Sequence, residues 1–471
     1  MTAERLPIAP TTPSDAIRVD LRDAGSGPRF LDRGSLAALI DALRADGRTL
    51  IGPVVEDGVI GLGPIETVEE LPIGRSAEAV PGGYRLGTGD GDRAFGYAVG
   101  PTSAKRWTFP PAVPLLRARR DAAGQTSFEA VEPDAGPVAF IGLRPCDLAA
   151  LAVQDRVLLG GPFVDDDYRA RRRDQLIVAV ECSVAQSTCF CTSMDTGPDA
   201  RAGFDLALTE LDDGFVVRIG SPRGAALLEQ VPTRAATDEE RETARRAVAD
   251  TAASIGNPIS TEGLAERLIA SHDSPRWAEI AERCLSCANC TLVCPTCFCT
   301  SVVQRSDLAG TDSVSERTWD SCFNPGFAKV AGGSFRSRPQ DRYRQWLTHK
   351  FGTWVEQFGS FGCVGCGRCI AWCPVGIDVR AELAAIAPPL ERMLPRTLPA
   401  AIAGSPARMS VARLRERRQE TADVATLVLD GSDALLATRP GQFVMVELPA
   451  FPPLPISVSR VRPDSIELTI R

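Results

Sequence analysis

Two cysteine-rich runs in this chain have the same spacing, and each of them ends in a proline. Each has the form C-x2-C-x2-C-x3-C-P, the first over residues 284–295 and the second over residues 363–374. Three closely spaced thiolates can bind one face of an iron–sulfur cube, while the fourth, turned away by the proline, reaches a second cube. We therefore predict two 4Fe-4S clusters with crossed ligands. The first set is Cys284, Cys287, Cys290 and Cys373, and the second is Cys363, Cys366, Cys369 and Cys294.

Structural zinc is the alternative for these runs, because paired CxxC motifs also suit tetrahedral zinc. A zinc site takes four ligands, however, and does not explain two quartets that each end in proline. Iron–sulfur cubes are therefore the preferred interpretation.

Four further cysteines follow two predicted buried strands, at residues 137–142 and 175–180. Cys146 comes after the first strand, where Asp147 is expected to cap a helix, and Cys182 comes after the second. If the strands are parallel neighbours, both cysteines emerge at the carboxyl edge of one sheet, where open α/β sheets place ligands. A third 4Fe-4S cluster is predicted here, with burial as ordinary small apolar side chains as the alternative. Its ligands would be Cys146, Cys182, Cys189 and Cys191.

The hexapeptide Thr-Cys-Phe-Cys-Thr-Ser occurs twice, at residues 188–193 and 296–301. The second copy supplies Cys297 and Cys299, and Cys322 follows it, so that three extra cysteines lie between the two runs. Three thiolates cannot fill a four-cysteine site. We expect this trio to be structural or to shield the clusters, and a cluster with one non-cysteine ligand is the alternative.

Composition limits the class of protein. A net charge of -8 and a pI near 5.2 argue against a nucleic-acid surface. No apolar run approaches the roughly 18 residues that span a bilayer, and the N-terminus lacks the features of a secretory signal. We therefore expect a cytoplasmic protein without a membrane span, whose cysteines bind metal. The two histidines, His272 and His349, are expected to be structural.

The elements that must position these cysteines suggest a multidomain fold of α/β and α class. Residues 1–258 are predicted to form an N-terminal α/β domain. A mainly helical dicluster ferredoxin domain follows at 259–390, split by an insertion over 295–362. We expect a linker at 391–408, and then, over 409–471, short strands that make an incomplete antiparallel β-barrel.

The motifs together resemble the iron–sulfur beta subunit of NAD(P)-linked sulfhydrogenases, and they are similar to the iron–sulfur subunit of anaerobic sulfite reductase. The resemblance spans roughly residues 30–390 and rests on the segment 142–147, Cys182, the Cys-Phe-Cys pair at 189–191, the segment 294–299 and the second run. In those families the protein carries electrons between a flavoprotein NAD(P)H reductase and a catalytic subunit. The catalytic partner is a nickel–iron hydrogenase in one family and a sirohaem sulfite reductase in the other.

The C-terminal segment is similar to the flavin-binding barrel of ferredoxin-reductase-like subunits. The similarity lies at residues 439–446 and 454–457. Many such barrels carry Arg-x-Tyr-Ser, and Leu454 stands here in the position of the arginine that contacts a flavin phosphate. A set of strands that only docks on the ferredoxin domain is the alternative. The resemblance implies an FAD site at Pro455, Ile456 and Ser457.

These observations predict an electron-transfer subunit with no catalytic residues of its own. The alternative is a reductase in which one cluster, or the trio of Cys297, Cys299 and Cys322, acts directly on a small sulfur substrate. No acid/base set accompanies those cysteines, which disfavours that alternative. A purely structural metal scaffold is the third and weakest interpretation.

Overall fold

The chain divides into two compact units, Met1–Glu391 and Arg392–Arg471. The predicted linker at 391–408 lies outside the described residues. The computed structural model describes residues 27–89, 91–388, 412–421, 424–431, 433–438, 443–446 and 454–470.

An eight-stranded mixed sheet forms the centre of the first unit. Val138–Leu143 and Leu176–Val180 are neighbouring parallel strands, and nearly all of their residues are buried. Continuous apolar sequence of this kind is typical of parallel strands that are covered on both faces. In spatial order the strands are Arg234–Ala235, Arg29–Asp32, Gly214–Ile219, Leu206–Glu210, Leu176–Val180, Val138–Leu143, Thr49–Glu56 and Val59–Pro64.

Helices cover both faces of this sheet. Successive strand residues point to opposite faces, so Ile141 packs with the helix Leu36–Ala45 while Phe140 packs with the helix Pro145–Leu158. The remaining helices of this part are Lys105–Thr108, Asp166–Arg173, Pro222–Leu228 and Asp238–Ser254, with 3-10 turns at Arg33–Ser35, Val68–Glu70 and Cys191–Met194.

The two strands predicted before Cys146 and Cys182 are present and parallel. Both cysteines therefore leave the sheet at the same edge. Asp147 does help to cap this helix, but from the third helical position, and it is not the N-cap residue itself. The helix begins at Pro145, and the Asp147 carboxylate at its third position accepts a hydrogen bond from the Arg144 N–H at 3.2 Å. Proline is favoured at the first helical position, and this explains the earlier start.

The insertion between the two cysteine runs is partly β-structure. Thr300–Ser306 and Asp312–Trp319 form an antiparallel pair, and the second strand also pairs with Ala112–Arg120. Thr126–Ala130 completes this four-stranded sheet. Backbone hydrogen bonds thus join the insertion to the N-terminal half of the chain.

The ferredoxin region is otherwise helical and packs around aromatic side chains that include Trp277, Phe323, Tyr343 and Trp346. No helix in the described residues has the length and apolarity needed to cross a membrane. Two small strand pairs, Arg75–Val80 with Gly83–Thr88 and Lys329–Val330 with Gly333–Ser334, complete this unit. The helices are Leu264–Ala270, Arg276–Arg283, Asn289–Leu292, Pro339–Thr348, Trp354–Phe358, Arg368–Ala371 and Val379–Ile386, with a short π-helix at His349–Thr353.

The second unit contains a five-stranded antiparallel sheet with a core of Val458, Ile466 and Leu468. Over the described residues this sheet is open and does not close into a barrel. Its strands, in spatial order, are Leu414–Gln419, Ala425–Asp430, Ser465–Ile470, Leu454–Val461 and Phe443–Val446, and a short helix spans Asp433–Leu436.

The two ferredoxin loops share an unusual backbone on either side of their middle cysteine. Ser286 and Ala288 in the first loop have φ of 52° and 68°, and Gly365 and Gly367 in the second have φ of 64° and 76°. The left-handed region costs roughly 1–2 kcal/mol for a residue with a side chain. The second loop needs glycine for a further reason, because a Cβ on Gly367 would lie 2.4 Å from the carbonyl oxygen of Thr188.

We expect Gly367→Ala to destabilise the protein by about 3 kcal/mol, from left-handed strain plus overpacking. Gly124→Ala is the matched control, because Gly124 has φ of 83° and no atom lies within 4 Å of the position that its Cβ would take. The measurement is the midpoint of anaerobic denaturant unfolding. Equal losses in the two variants would show that the contact with Thr188 carries no weight.

Candidate metal centres

The first centre gathers the three leading cysteines of the first run and the last cysteine of the second. All four line one cavity of about 30 Å³, whose wall also includes Tyr343 and Trp346. Burial raises the pKa of Cys290, and the neighbouring thiolates of Cys284, Cys287 and Cys373 raise it further. The structure thus brings together the predicted set Cys284, Cys287, Cys290 and Cys373.

The second centre is the other predicted set, which consists of Cys363, Cys366, Cys369 and Cys294. Burial raises the pKa of Cys363 to about 12. Burial also raises the pKa of Cys369 well above its usual range, with further contributions from the nearby Cys363, Cys366 and Cys294. Each run therefore places its fourth cysteine with the other run, which is the arrangement that crossed ligation requires. Ligation itself remains a prediction.

The third centre lies at the carboxyl edge of the parallel strands. Cys146, Cys182, Cys189 and Cys191 line a single cavity of about 20 Å³, and Cys366 of the second centre lines the same cavity. Burial raises the pKa of Cys189 to about 11 and that of Cys146 well above its usual range.

The donor chemistry of all three centres fits a 4Fe-4S cube, since each offers four cysteine sulfurs in a largely buried setting. Thiols with a raised pKa, such as Cys189, Cys290 and Cys363, are protonated at neutral pH when no metal is bound, so cluster assembly must release protons. When bound, each cube would supply one-electron redox chemistry, and this chain's residues would set its charge environment.

Comparison with known proteins identifies the family. The chain matches the 4Fe-4S dicluster domain family over residues 283–377. It is also 34% identical to sulfhydrogenase 2 subunit beta of Pyrococcus furiosus (strain ATCC 43587 / DSM 3638 / JCM 8422 / Vc1) over 277 residues, which are 58% of this chain and 81% of the relative. The chain belongs to the sulfhydrogenase beta-subunit family. No solved structure gives a significant match.

Membership of the sulfhydrogenase beta-subunit family confirms the predicted resemblance and the iron–sulfur, 4Fe-4S character of the protein. The zinc alternative is therefore set aside. The structure also explains the segment 142–147. Gly142 has φ of 87°, and a Cβ there would lie 3.0 Å from Pro53. Arg144 donates hydrogen bonds to the carbonyl oxygens of Phe95 and Tyr97 at 2.8 and 2.7 Å.

Buried cations lie beside the centres, and reasoning from the sequence missed them. Arg368 forms an ion pair with Asp147 at 2.9 Å, and both side chains are almost fully buried. Burial opposes the charge of Arg368, but the carboxylate of Asp147 and the thiolate of Cys366 hold its pKa above the usual range. Isolated arginines and lysines carry no spacing signal. Only their position inside or near cysteine motifs could have drawn attention to them.

Lys350 is the corresponding cation of the second centre. Its ammonium group is buried and donates to the Cys294 sulfur at 3.3 Å, to Thr296 Oγ1 at 2.9 Å and to the Gly362 carbonyl oxygen at 2.7 Å. Burial disfavours the ammonium form, but the thiolates of Cys294 and Cys297 outweigh it and raise the pKa of Lys350. A positive charge in contact with a cluster ligand makes the reduced cluster more stable.

The extra trio lines a separate cavity of about 340 Å³. Cys297 is close enough to Cys294 to lower its pKa, and Cys322 likewise lowers the pKa of Cys299. His349 lines the same cavity, whereas the other histidine is exposed beside Asp273. The predicted structural or shielding role of the trio stays a prediction.

The flavin prediction rests on the strand Leu454–Val461 of the second unit. Ile456 is partly buried there, while the side chains of Pro455 and Ser457 lie outside the described residues. Flavin binding therefore stays a prediction.

We expect Lys350→Met to lower the midpoint potential of one cluster by tens of millivolts, because a positive charge near the added electron is lost. EPR-monitored redox titration of the purified protein measures this shift. Lys329→Met is the matched control, since Lys329 is exposed on the strand Lys329–Val330. An unchanged set of potentials in Lys350→Met would contradict the assignment of Cys294 as a ligand.

Proposed function

We propose that this protein relays single electrons between an NAD(P)H-linked flavoprotein reductase and a catalytic metal subunit. Its two ferredoxin cubes would have crossed ligands, and a third cube would be held at the edge of the N-terminal sheet. The chain would bind and tune these clusters and would make or break no substrate bond. Residues 1–258 and 259–390 would supply the third centre and the two ferredoxin centres respectively.

The continuity of the three centres supports this proposal most strongly. Cys366, of the second centre, lines the cavity of the third. Cys369, also of the second centre, lines the cavity of the first, and it lies close enough to Cys290 for the two thiols to affect each other's ionisation. Electron transfer slows steeply with distance, so three adjoining clusters would form a connected path.

Exposure at the first centre supports a point of exchange with a partner. Cys287 is exposed, Leu285 is 63% exposed and Val375 is 37% exposed. A cluster at this edge would lie near the surface, behind apolar side chains that a docking partner could cover. The third centre, in contrast, is formed by buried and partly buried cysteines.

The identity of the partners is proposed from the family. The relative is named a sulfhydrogenase subunit. The resemblance drawn from the sequence motifs implies a flavoprotein on one side of the relay and a hydrogenase on the other. A nickel–iron hydrogenase is therefore the preferred catalytic partner, with a sirohaem sulfite reductase as the alternative. FAD would belong to the flavoprotein or to the C-terminal strands of this chain.

The relay proposal predicts that the isolated protein reduces a one-electron dye only when a chemical reductant or a flavoprotein with NAD(P)H is supplied. Hydrogen uptake and sulfite reduction are expected to be absent, because the clusters offer no substrate chemistry. Anaerobic dye reduction and gas consumption are the measurements. Sustained hydrogen or sulfite turnover by the protein, free of other subunits, would overturn the proposal.

If the third cluster is present, removing two of its ligands should cause a specific loss of iron. In the full-length protein, Cys182→Ala combined with Cys191→Ala should remove about four irons, one cube's content, and leave the ferredoxin signals. Iron analysis and EPR after anaerobic reconstitution measure this. Thr251→Ala is the matched control, because Thr251 lines the same cavity without a sulfur donor. Equal iron in the double variant and the control would exclude the third cluster.

A further inference from the structure

The cavity lined by the extra trio offers the donor side chains that a further metal centre would need. Its volume is about 340 Å³, and Cys297, Cys299 and Cys322 line it together with His349. Three sulfurs and one imidazole amount to the four donors that a cube requires. Across the described residues no three His, Cys, Asp or Glu side chains are grouped tightly enough for a single metal ion, and this holds for the ferredoxin cysteines as well as for the trio.

The repeated hexapeptide places this cavity next to the second centre. In the first copy, the Phe190 N–H donates to the Gly365 carbonyl oxygen at 2.9 Å. In the second copy, Thr296 Oγ1 donates to the Gly362 carbonyl oxygen at 2.6 Å. Both Cys-Phe-Cys pairs are therefore anchored on the same short ferredoxin segment. The first pair belongs to the third centre, and the second pair opens onto the trio cavity.

The sulfurs form a continuous series from the second centre into the cavity. Cys297 is close enough to Cys294, which belongs to the second centre, for each thiol to shift the pKa of the other. Cys299 and Cys322 shift each other's pKa in the same way. The Phe298 ring, between the two cysteines of the pair, packs edge-to-face on Trp354 at 5.5 Å, which holds the loop in place.

His349 is a partly buried residue on the wall of the trio cavity. The ring also packs on Trp354, with centroids 4.9 Å apart. His349 begins the short π-helix His349–Thr353, and such local irregularities are often found at functional sites.

The cavity also supplies positive charge. Lys350 and Arg336 line it, and both would offset the negative charge of thiolates bound to iron. Asp320 is the nearby carboxylate, but it is already engaged by the hydroxyl of Ser301, the Ser321 N–H and the Asn324 amide. His349 is therefore preferred over Asp320 as the fourth donor.

We propose that Cys297, Cys299, Cys322 and His349 hold a fourth iron–sulfur cluster. It would exchange single electrons with the cluster that Cys294 helps to bind, which makes the second centre a branch point; this exchange rests on the relay function proposed above. No bond is made or broken in that step, because one cube is oxidised as the other is reduced. Histidine ligation raises a cluster's potential, so this cluster would be reduced before its all-cysteine neighbours.

The test uses the full-length protein, reconstituted anaerobically with iron and sulfide. The wild-type protein should hold about sixteen irons, four in each of four cubes. Cys299→Ala combined with Cys322→Ala should lose about four of these irons. Thr300→Ala is the matched control, because Thr300 lines the same cavity. The same iron content in the double variant and the control would overturn the fourth cluster.

A second variant keeps the test decisive if the double variant does not fold. His349→Cys retains four donors, so the iron content should be kept while the highest midpoint potential in an EPR-monitored titration shifts downward. Unchanged potentials would overturn the proposal. The loss of iron in the Cys182, Cys191 double variant is measured separately, so failure of the third cluster and failure of the fourth are distinguishable.

Discussion

The close approach of the loop 363–369 to the first Cys-Phe-Cys segment is the contact on which the redox part of the molecule depends. The backbone of Phe190 bonds directly to Gly365, and no side chain separates the two segments. Close by, Arg368 and Asp147 form a buried ion pair across the same boundary. The N-terminal sheet and the ferredoxin fold therefore contact each other directly between the second and the third centre. Backbone contact, rather than flexible side chains, sets the distance between these two centres.

Charge is the second constraint. Burying an ammonium or guanidinium group without a partner is costly, yet Lys350, Arg368 and Lys105 are all buried near cysteines. Lys105 is held by the carbonyl oxygens of Leu292 and Cys297 and by the face of Trp319, at 4.0 Å from the ring centroid. These cations suit a region that carries clusters with thiolate ligands. Folding of this region and loading of the metal are therefore expected to be coupled.

The two copies of the hexapeptide show how one local sequence serves two surroundings. Phe190 is fully buried among residues of the ferredoxin core, whereas Phe298 packs against Trp354 beside an open cavity. The cysteines of the first copy share a cavity with Cys146 and Cys182, which follow two strands of the N-terminal sheet. Those of the second copy share a cavity with Cys322 and His349 of the insertion. What each Cys-Phe-Cys pair can bind is decided by the elements that come to face it.

The sequence by itself determined the grouping of the ferredoxin cysteines, the two parallel strands before Cys146 and Cys182, and the family. Each of these follows from a local pattern, because ligand spacing and apolar runs involve residues that are close together in the sequence. The tertiary structure alone decided the pairing of the insertion with Ala112–Arg120, the burial of Lys350 and the presence of His349 in the trio cavity. These depend on contacts between residues far apart in the chain, and such contacts leave no periodicity or spacing in the sequence.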